Sequence, residues 1–140
     1  EPAMSGETNL ARLLQSMTPQ LNPGQYVFCC VPAEYDCNGL QPIASLRESE
    51  GLSLVLPREV ADAYNLSYDY VAAWITLEVH SSLAAVGLTA SFSTALAQAG
   101  ISCNVVAGFH HDHLFVPCER AEKALSTLCA LSAASLPEHA

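Results

Sequence analysis

Three histidines and an aspartate occupy four consecutive positions, His110-His111-Asp112-His113. Imidazole nitrogens and a carboxylate are ligands that zinc and other transition metals accept. The spacing works against such a site. Neighbouring side chains on a strand point to opposite faces, so only His111 with His113, or His110 with Asp112, share a side. A complete shell would need further donors, for instance His80 or a cysteine. A polar hairpin turn whose side chains bond backbone groups explains the run without a metal, since geometry and not composition defines a metal site. A metal-dependent enzyme built on His110–His113 is therefore kept only as a third reading, and no metal is expected.

The six cysteines are Cys29, Cys30, Cys37, Cys103, Cys118 and Cys129. No CxxC pair occurs, and most lie in apolar runs, as buried free thiols do. Reduced cysteines in a reducing cytoplasm are the expectation. Cys29 or Cys103 could pair with a histidine as a nucleophile, but an apolar strand disfavours the thiolate. Glu78 and Asp112 could serve as paired carboxylates, yet nothing in the spacing forces them together. There is no GxSxG elbow, phosphate-binding loop or dinucleotide fingerprint. No catalytic residue and no cofactor are assigned.

The richest segment runs from His80-Ser81-Ser82 through Val86-Gly87-Leu88 and joins a strand to a helix. A helix start exposes backbone N–H groups that attract carboxylates. Ser81 and Ser82 are candidate caps. Gly87 removes a side chain where a ligand or a second backbone could approach. Ile101-Ser102-Cys103-Asn104 opens the next strand with a hydroxyl and an amide. The plainer alternatives are that Gly87 permits tight helix–sheet packing and that Asn104 satisfies a turn.

These residues must be positioned by regular elements. Leu10, Leu13, Leu14 and Met17 predict a helix over 8–17. Pro19 and Asn22-Pro23-Gly24 are read as its end and a turn. The apolar run 26–31 reads as a buried strand, 33–42 as a loop, and 43–47 and 52–56 as a hairpin turning at 48–51. Pro57 suits the first position of a helix whose inner face would be Val60, Ala61 and Tyr64. After a connector over 66–73, residues 74–80 alternate. Ile75, Leu77 and Val79 face one way and Thr76, Glu78 and His80 the other, the period of a half-buried strand.

Leu88, Phe92, Ala95, Leu96 and Ala99 predict a helix over 83–99, closed by Gly100. A strand over 101–109, a turn at 110–112 and a strand over 113–116 follow. The last helix spans 119–131, with Ala121, Ala124, Leu125, Leu128 and Leu131 inward, and the tail from Ser132 is read as frayed. Both halves end in a hairpin and then a helix. Antiparallel sheets with helices packed on one face make the fold class α+β. The division is placed as 1–72, a first unit with a leading helix, 73–135, a second unit, and 136–140, a tail.

Composition narrows the function. Of 140 residues, 51% are hydrophobic, enough to build a core and to exclude wholesale disorder. The net charge is −9, and the five basic residues Arg12, Arg47, Arg58, Arg120 and Lys123 are scattered. No basic stripe exists to neutralise phosphates, so neither nucleic acid nor an anionic membrane is an expected partner. No apolar run is long enough to span a bilayer. Residues 1–7 lack the basic and apolar regions of a secretory signal, which again points to the cytoplasm.

Val86-Gly87-Leu88-Thr89-Ala90-Ser91-Phe92, followed by Leu96-Ala97-Gln98-Ala99-Gly100-Ile101-Ser102-Cys103-Asn104-Val105, resembles the ACT domain of aspartokinase type. The wider chain is similar to a family of small stand-alone ACT-like proteins. There a Pro-Arg-Glu-Val-Ala helix (Pro57 to Ala61) precedes Trp74-Ile75-Thr76-Leu77, and a histidine-rich hairpin ends in His-Leu-Phe-Val-Pro (His113 to Pro117).

The resemblance implies two ferredoxin-like, ACT-like units, the first shortened, and regulation without catalysis. It implies an amino acid bound where paired units meet, beside the glycine-bearing loop and the start of the second strand. Carried over position by position, that site is Ser81, Ser82, Val86, Gly87, Leu88, Ile101, Ser102, Cys103 and Asn104. With no catalytic domain in these 140 residues, the signal would pass to a separate partner. The second reading is a ligand-free oligomerisation module. Exposed strand edges would pair in a homodimer.

Overall fold

A computed structural model describes residues 9–79 and 82–134. In chain order the elements are α1 (Leu10–Ser16), β1 (Thr18–Val31), β2 (Ala44–Glu48), β3 (Gly51–Pro57), α2 (Arg58–Ala63), β4 (Val71–Glu78), α3 (Leu88–Gln98), β5 (Asn104–Ala107), β6 (Asp112–Pro117) and α4 (Ala121–Ala134). A short 3-10 turn, Cys118–Arg120, leads into α4. The fold is α+β, with antiparallel strands and helices. Packing divides the chain into two units, residues 23–73 and residues 1–22 with 74–140.

The unit of residues 23–73 holds strands in the order β2-β3-β1. β1 pairs with β3 from Tyr26↔Pro57 to Val31↔Leu52, and β2 with β3 from Ala44↔Val55 to Glu48↔Gly51. Its core is Val27, Cys29, Val31, Leu40, Leu54, Leu56 and Ala61. Where a first helix would stand, residues 32–43 form a loop that buries Leu40. Tyr64, expected on the inner face of α2, is 47% exposed. The helix has only six residues and Tyr64 follows it as the C-cap, with φ −100° and ψ 9°. Pro57 is the N-cap rather than the first helical residue.

In the other unit, β4-α3-β5-β6-α4 supplies five of the six elements of a βαββαβ fold. The remaining strand is the start of β1, beside β4 in the order β1-β4-β6-β5. Hence α1 and residues 18–22, which sequence order puts in the 1–72 unit, pack with the elements after residue 73. Asn9 caps α1, its Oδ1 accepting from the Arg12 N–H at 3.1 Å. As the spacing predicts, Leu13, Leu14 and Met17 are buried. They belong to a core with Ile75, Leu77, Phe92, Leu96, Leu114, Val116, Ala124 and Leu128, each of these last eight at 0% exposure.

Several boundaries differ from the sequence reading. Pro19, Pro23 and Gly24 do not interrupt β1, which runs for 14 residues. A proline's fixed φ is compatible with extended backbone, and only its missing donor restricts where it can sit. Gly24, at φ +97°, absorbs a local distortion that a residue with a Cβ would resist. β4 begins at Val71, inside the expected connector. β5 is confined to Asn104–Ala107, because Ile101 closes α3 instead. The expected fraying at Ser132 is overturned, since α4 continues to Ala134. The tail at 136–140 lies outside the described residues.

Gly51 opens β3 at φ +149°, and an added Cβ would stand 2.5 Å from the Val31 carbonyl oxygen. Backbone cannot yield as a flexible side chain can. Gly51→Ala is expected to lower stability by about 2 kcal/mol or more in a urea titration, without changing the slope of the transition.

Candidate functional site

α3 begins at Leu88 rather than at the expected Leu83, and its start is built by backbone rather than by the expected serine caps. Gly87 is the N-cap, in the left-handed region at φ +101°, and no side chain caps the helix. The Ser91 N–H donates to the Gly87 carbonyl at 2.9 Å. Ser82 closes a turn of its own. Its Oγ accepts from the Ala84 N–H at 3.0 Å, and its carbonyl accepts from the Ala85 N–H at 2.9 Å. Ser81, like His80, lies outside the described residues. Leu88 is buried, whereas Leu83 and Val86 are 68% and 83% exposed. A Cβ at Gly87 would come within 3.1 Å of Leu10 Cδ2, so α1 closes against this turn.

The far end of α3 is as well defined. Gly100, at φ +75°, donates to the Ala97 carbonyl, and Ile101 donates to the Leu96 carbonyl, each at 2.9 Å. This is a Schellman closure, with Ile101 and Leu96 both buried behind it. Arg120 Nη2 donates to the Ala99 carbonyl at 3.1 Å, a cation at the negative end of the helix. Ser102 and Asn104 are exposed and Cys103 is half-buried. Burial pushes the Cys103 thiol up to about 11.

The predicted residues therefore form two groups. Ser82, Val86, Gly87 and Leu88 lie at the start of α3, and Ile101, Ser102, Cys103 and Asn104 follow its end. The 11 residues of α3 separate them by about 16 Å. Within this unit they do not meet.

The histidine run makes a tight turn. Asn104 pairs with Phe115 and Ala107 with Asp112, and the Gly108 N–H donates to the His111 carbonyl at 2.8 Å. Phe109 and His110 thus form the tip, with Phe109 70% exposed. Asp112 is buried, on the same face of β6 as Leu114 and Val116, and burial pushes its carboxyl above the ordinary range, against the pull of His113 and His111. Among the described residues no three His, Cys, Asp or Glu side chains converge as a metal cluster.

The sequence reading missed a polar network across three strands. Asn22 Nδ2 donates to the Trp74 carbonyl at 3.2 Å and to Thr76 Oγ1 at 3.0 Å. Thr76 Oγ1 stands 3.1 Å from His113 Nδ1, and Trp74 Nε1 donates to the same nitrogen at 3.1 Å. Trp74 also stacks on Phe115, centroids 6.2 Å apart. The alternation of β4 signalled that Thr76 and Trp74 share a face. Nothing local signalled Asn22. Of the six cysteines only Cys29 is buried, Cys30 and Cys129 are exposed, and Cys37, Cys103 and Cys118 are half-buried. The expectation of mostly buried thiols is corrected accordingly.

Comparison with known proteins agrees with this architecture. Sequence profiles of the ACT domain match residues 5–73 and residues 70–130. A crystal structure from Vibrio cholerae, of a protein of unknown function described as a possible transport protein, is 52% identical. The match covers 88% of this chain and 95% of that one, with a TM-score of 0.81. A protein from Agrobacterium tumefaciens is 21% identical over 83% of this chain and 89% of its own, with a TM-score of 0.64. The ligand-free regulatory subunit of aspartate kinase from Thermus thermophilus shares the fold at 11% identity, with 83% and 97% covered and a TM-score of 0.61.

No curated protein matches the sequence. The chain belongs to the ACT-domain family, whose members are regulatory modules that bind small-molecule effectors. No helix among the described residues is long and apolar enough to cross a membrane.

With its thiol at about 11, Cys103 presents little thiolate at neutral pH. In a timed iodoacetamide reaction at about pH 8, read by peptide mass spectrometry, Cys103 is expected to label roughly tenfold or more slowly than the exposed Cys30 and Cys129.

Proposed function

We propose that this protein is a sensor of the ACT type whose effector is an amino acid, and that it catalyses no reaction itself. The observation that carries this reading is the start of α3. Gly87 holds a left-handed turn there, and no side chain caps the backbone N–H groups that follow. Such a terminus suits a carboxylate, which the N–H groups and the helix dipole both stabilise. The amide of Asn104 and the carbonyls beside it suit the ammonium group.

One amino acid cannot reach both ends of α3. In this proposal a second copy of the chain completes the site, setting its Asn104 segment beside the Gly87 turn of the first. Among the described residues β5 ends the strand order of its unit, and its outer edge suits pairing with a second sheet. The protein would then act as a cytoplasmic homodimer that signals to a separate partner.

A thermal-shift screen against the twenty common amino acids, at about 1 mM and above, tests the reading. A ligand selective for the folded state raises stability by roughly 2.7 kcal/mol at a hundred times its dissociation constant. The expected result is a clear rise in Tm with one or two amino acids, reduced in Gly87→Ala. No rise with any of them would remove the sensor reading. If sedimentation nevertheless showed a dimer, the oligomerisation module would take its place, with the exposed Leu83, Val86 and Phe109 as its basis.

A further inference from the structure

The indole N–H of Trp74 is only a donor. Its bond to His113 Nδ1 at 3.1 Å therefore makes Nδ1 the bare nitrogen of the ring. Thr76 reinforces this assignment, because its hydroxyl accepts from Asn22 and can donate to the same Nδ1. The ring proton must then sit on Nε2, which faces the hairpin. A Cβ added at Gly108 would lie 3.2 Å from Nε2 and 2.9 Å from the His111 carbonyl oxygen. The imidazole is thus wedged between β4 on one side and the β5–β6 turn on the other.

We propose that His113 is an acid-operated latch. A proton taken up at Nδ1 faces the Trp74 N–H head-on, breaks that bond, and loosens the side-chain tie between the β5–β6 hairpin and β4, while the backbone pairing of β6 with β4 stays. Thr76 can reverse its bond and accept from the new N–H, whereas the indole has no such option. The hairpin carries β5, so acid would alter the strand that opens with Asn104.

The charged surroundings are few. On β6 and its turn, Asp112 favours the imidazolium while His111 opposes it. The charged residue of β4 is the exposed Glu78. β5, with sequence NVVA, brings no titratable group, and β1 contributes the neutral amide of Asn22. Burial is the largest influence and holds the His113 pKa below its ordinary 6.5. The unfolded chain therefore takes up this proton first. The stabilisation from His113 is complete above about pH 6.5 and is lost as pH falls toward the folded value. Asp112 acts in the opposite sense, since its raised folded pKa favours the folded state in acid and loses that contribution as pH rises through it.

Trp74 is the chain's one tryptophan, so its emission reports the latch directly. Fluorescence would be followed from about pH 8 to about pH 5, with far-UV circular dichroism in parallel. The expected result is a change in emission with a midpoint below 6.5 and intact secondary structure. His113→Asn, which keeps an acceptor but cannot titrate, should abolish the change, and His111→Gln should retain it. Flat emission in the native protein, titration that survives in His113→Asn, or coincident loss of circular dichroism would each overturn the proposal. If His113→Asn did not fold, nitrogen NMR of the native imidazole would decide. A bare Nδ1 that protonates below 6.5 is required, and the opposite tautomer refutes it.

Discussion

The unit that carries the candidate site is organised around β4, a strand buried on both faces. Ile75 and Leu77 point into the helix-covered core, each at 0% exposure, while Thr76, at 8%, joins Trp74 on the opposite face. Each buried aliphatic side chain contributes about 1.5–3 kcal/mol relative to exposure. A slip of one residue would turn Leu77 toward His113 and Thr76 into the apolar core, losing both the burial and the hydrogen bonds. That penalty fixes β6 through His113 and fixes the start of β1 through Asn22. The turn that leads into α3 follows from the same register.

Much of this was legible because it is local. The helical spacing of Leu88, Phe92 and Leu96 records a single buried face, and the period of two in residues 74–79 separates the apolar face of β4 from its polar one, although Thr76 on the polar face is buried as well. Gly100 announced the end of α3, and the Schellman pair, Gly100 donating to Ala97 and Ile101 to Leu96, is what a left-handed glycine permits. β1 was not legible. Pro19, Pro23 and Gly24 read as punctuation, yet a strand tolerates proline where the missing donor is not required. Nor could chain order show that α1 and residues 18–22 complete a unit whose other elements begin at Trp74. That pairing depends on a strand vacancy created more than fifty positions away, as the Asn22–Thr76 separation of 54 illustrates.

The candidate site divides along the same line. Gly87 and Asn104 are visible in the sequence as a missing side chain and a polar strand start, and the structure adds the left-handed turn at Gly87 and places both residues in one unit. Their separation by the length of α3 is a consequence of topology, which residue types do not encode. The Trp74–Thr76–His113 network went unnoticed because His113 lies 37 positions from Thr76 and 39 from Trp74, and meets them only once β4 and β6 are neighbours. The histidine run drew attention as a potential metal site. Its most constrained member instead serves as an acceptor for an indole.

The central claim, an amino acid held at the start of α3 and the start of β5, is best tested by amide NMR. The 15N-labelled protein would be titrated with an equimolar mixture of the twenty common amino acids. The account predicts shifts concentrated at Gly87, Leu88 and Thr89 and at Ser102, Cys103 and Asn104, with the rest of the spectrum nearly unmoved. An unchanged spectrum, or shifts confined to residues 23–73, would contradict it.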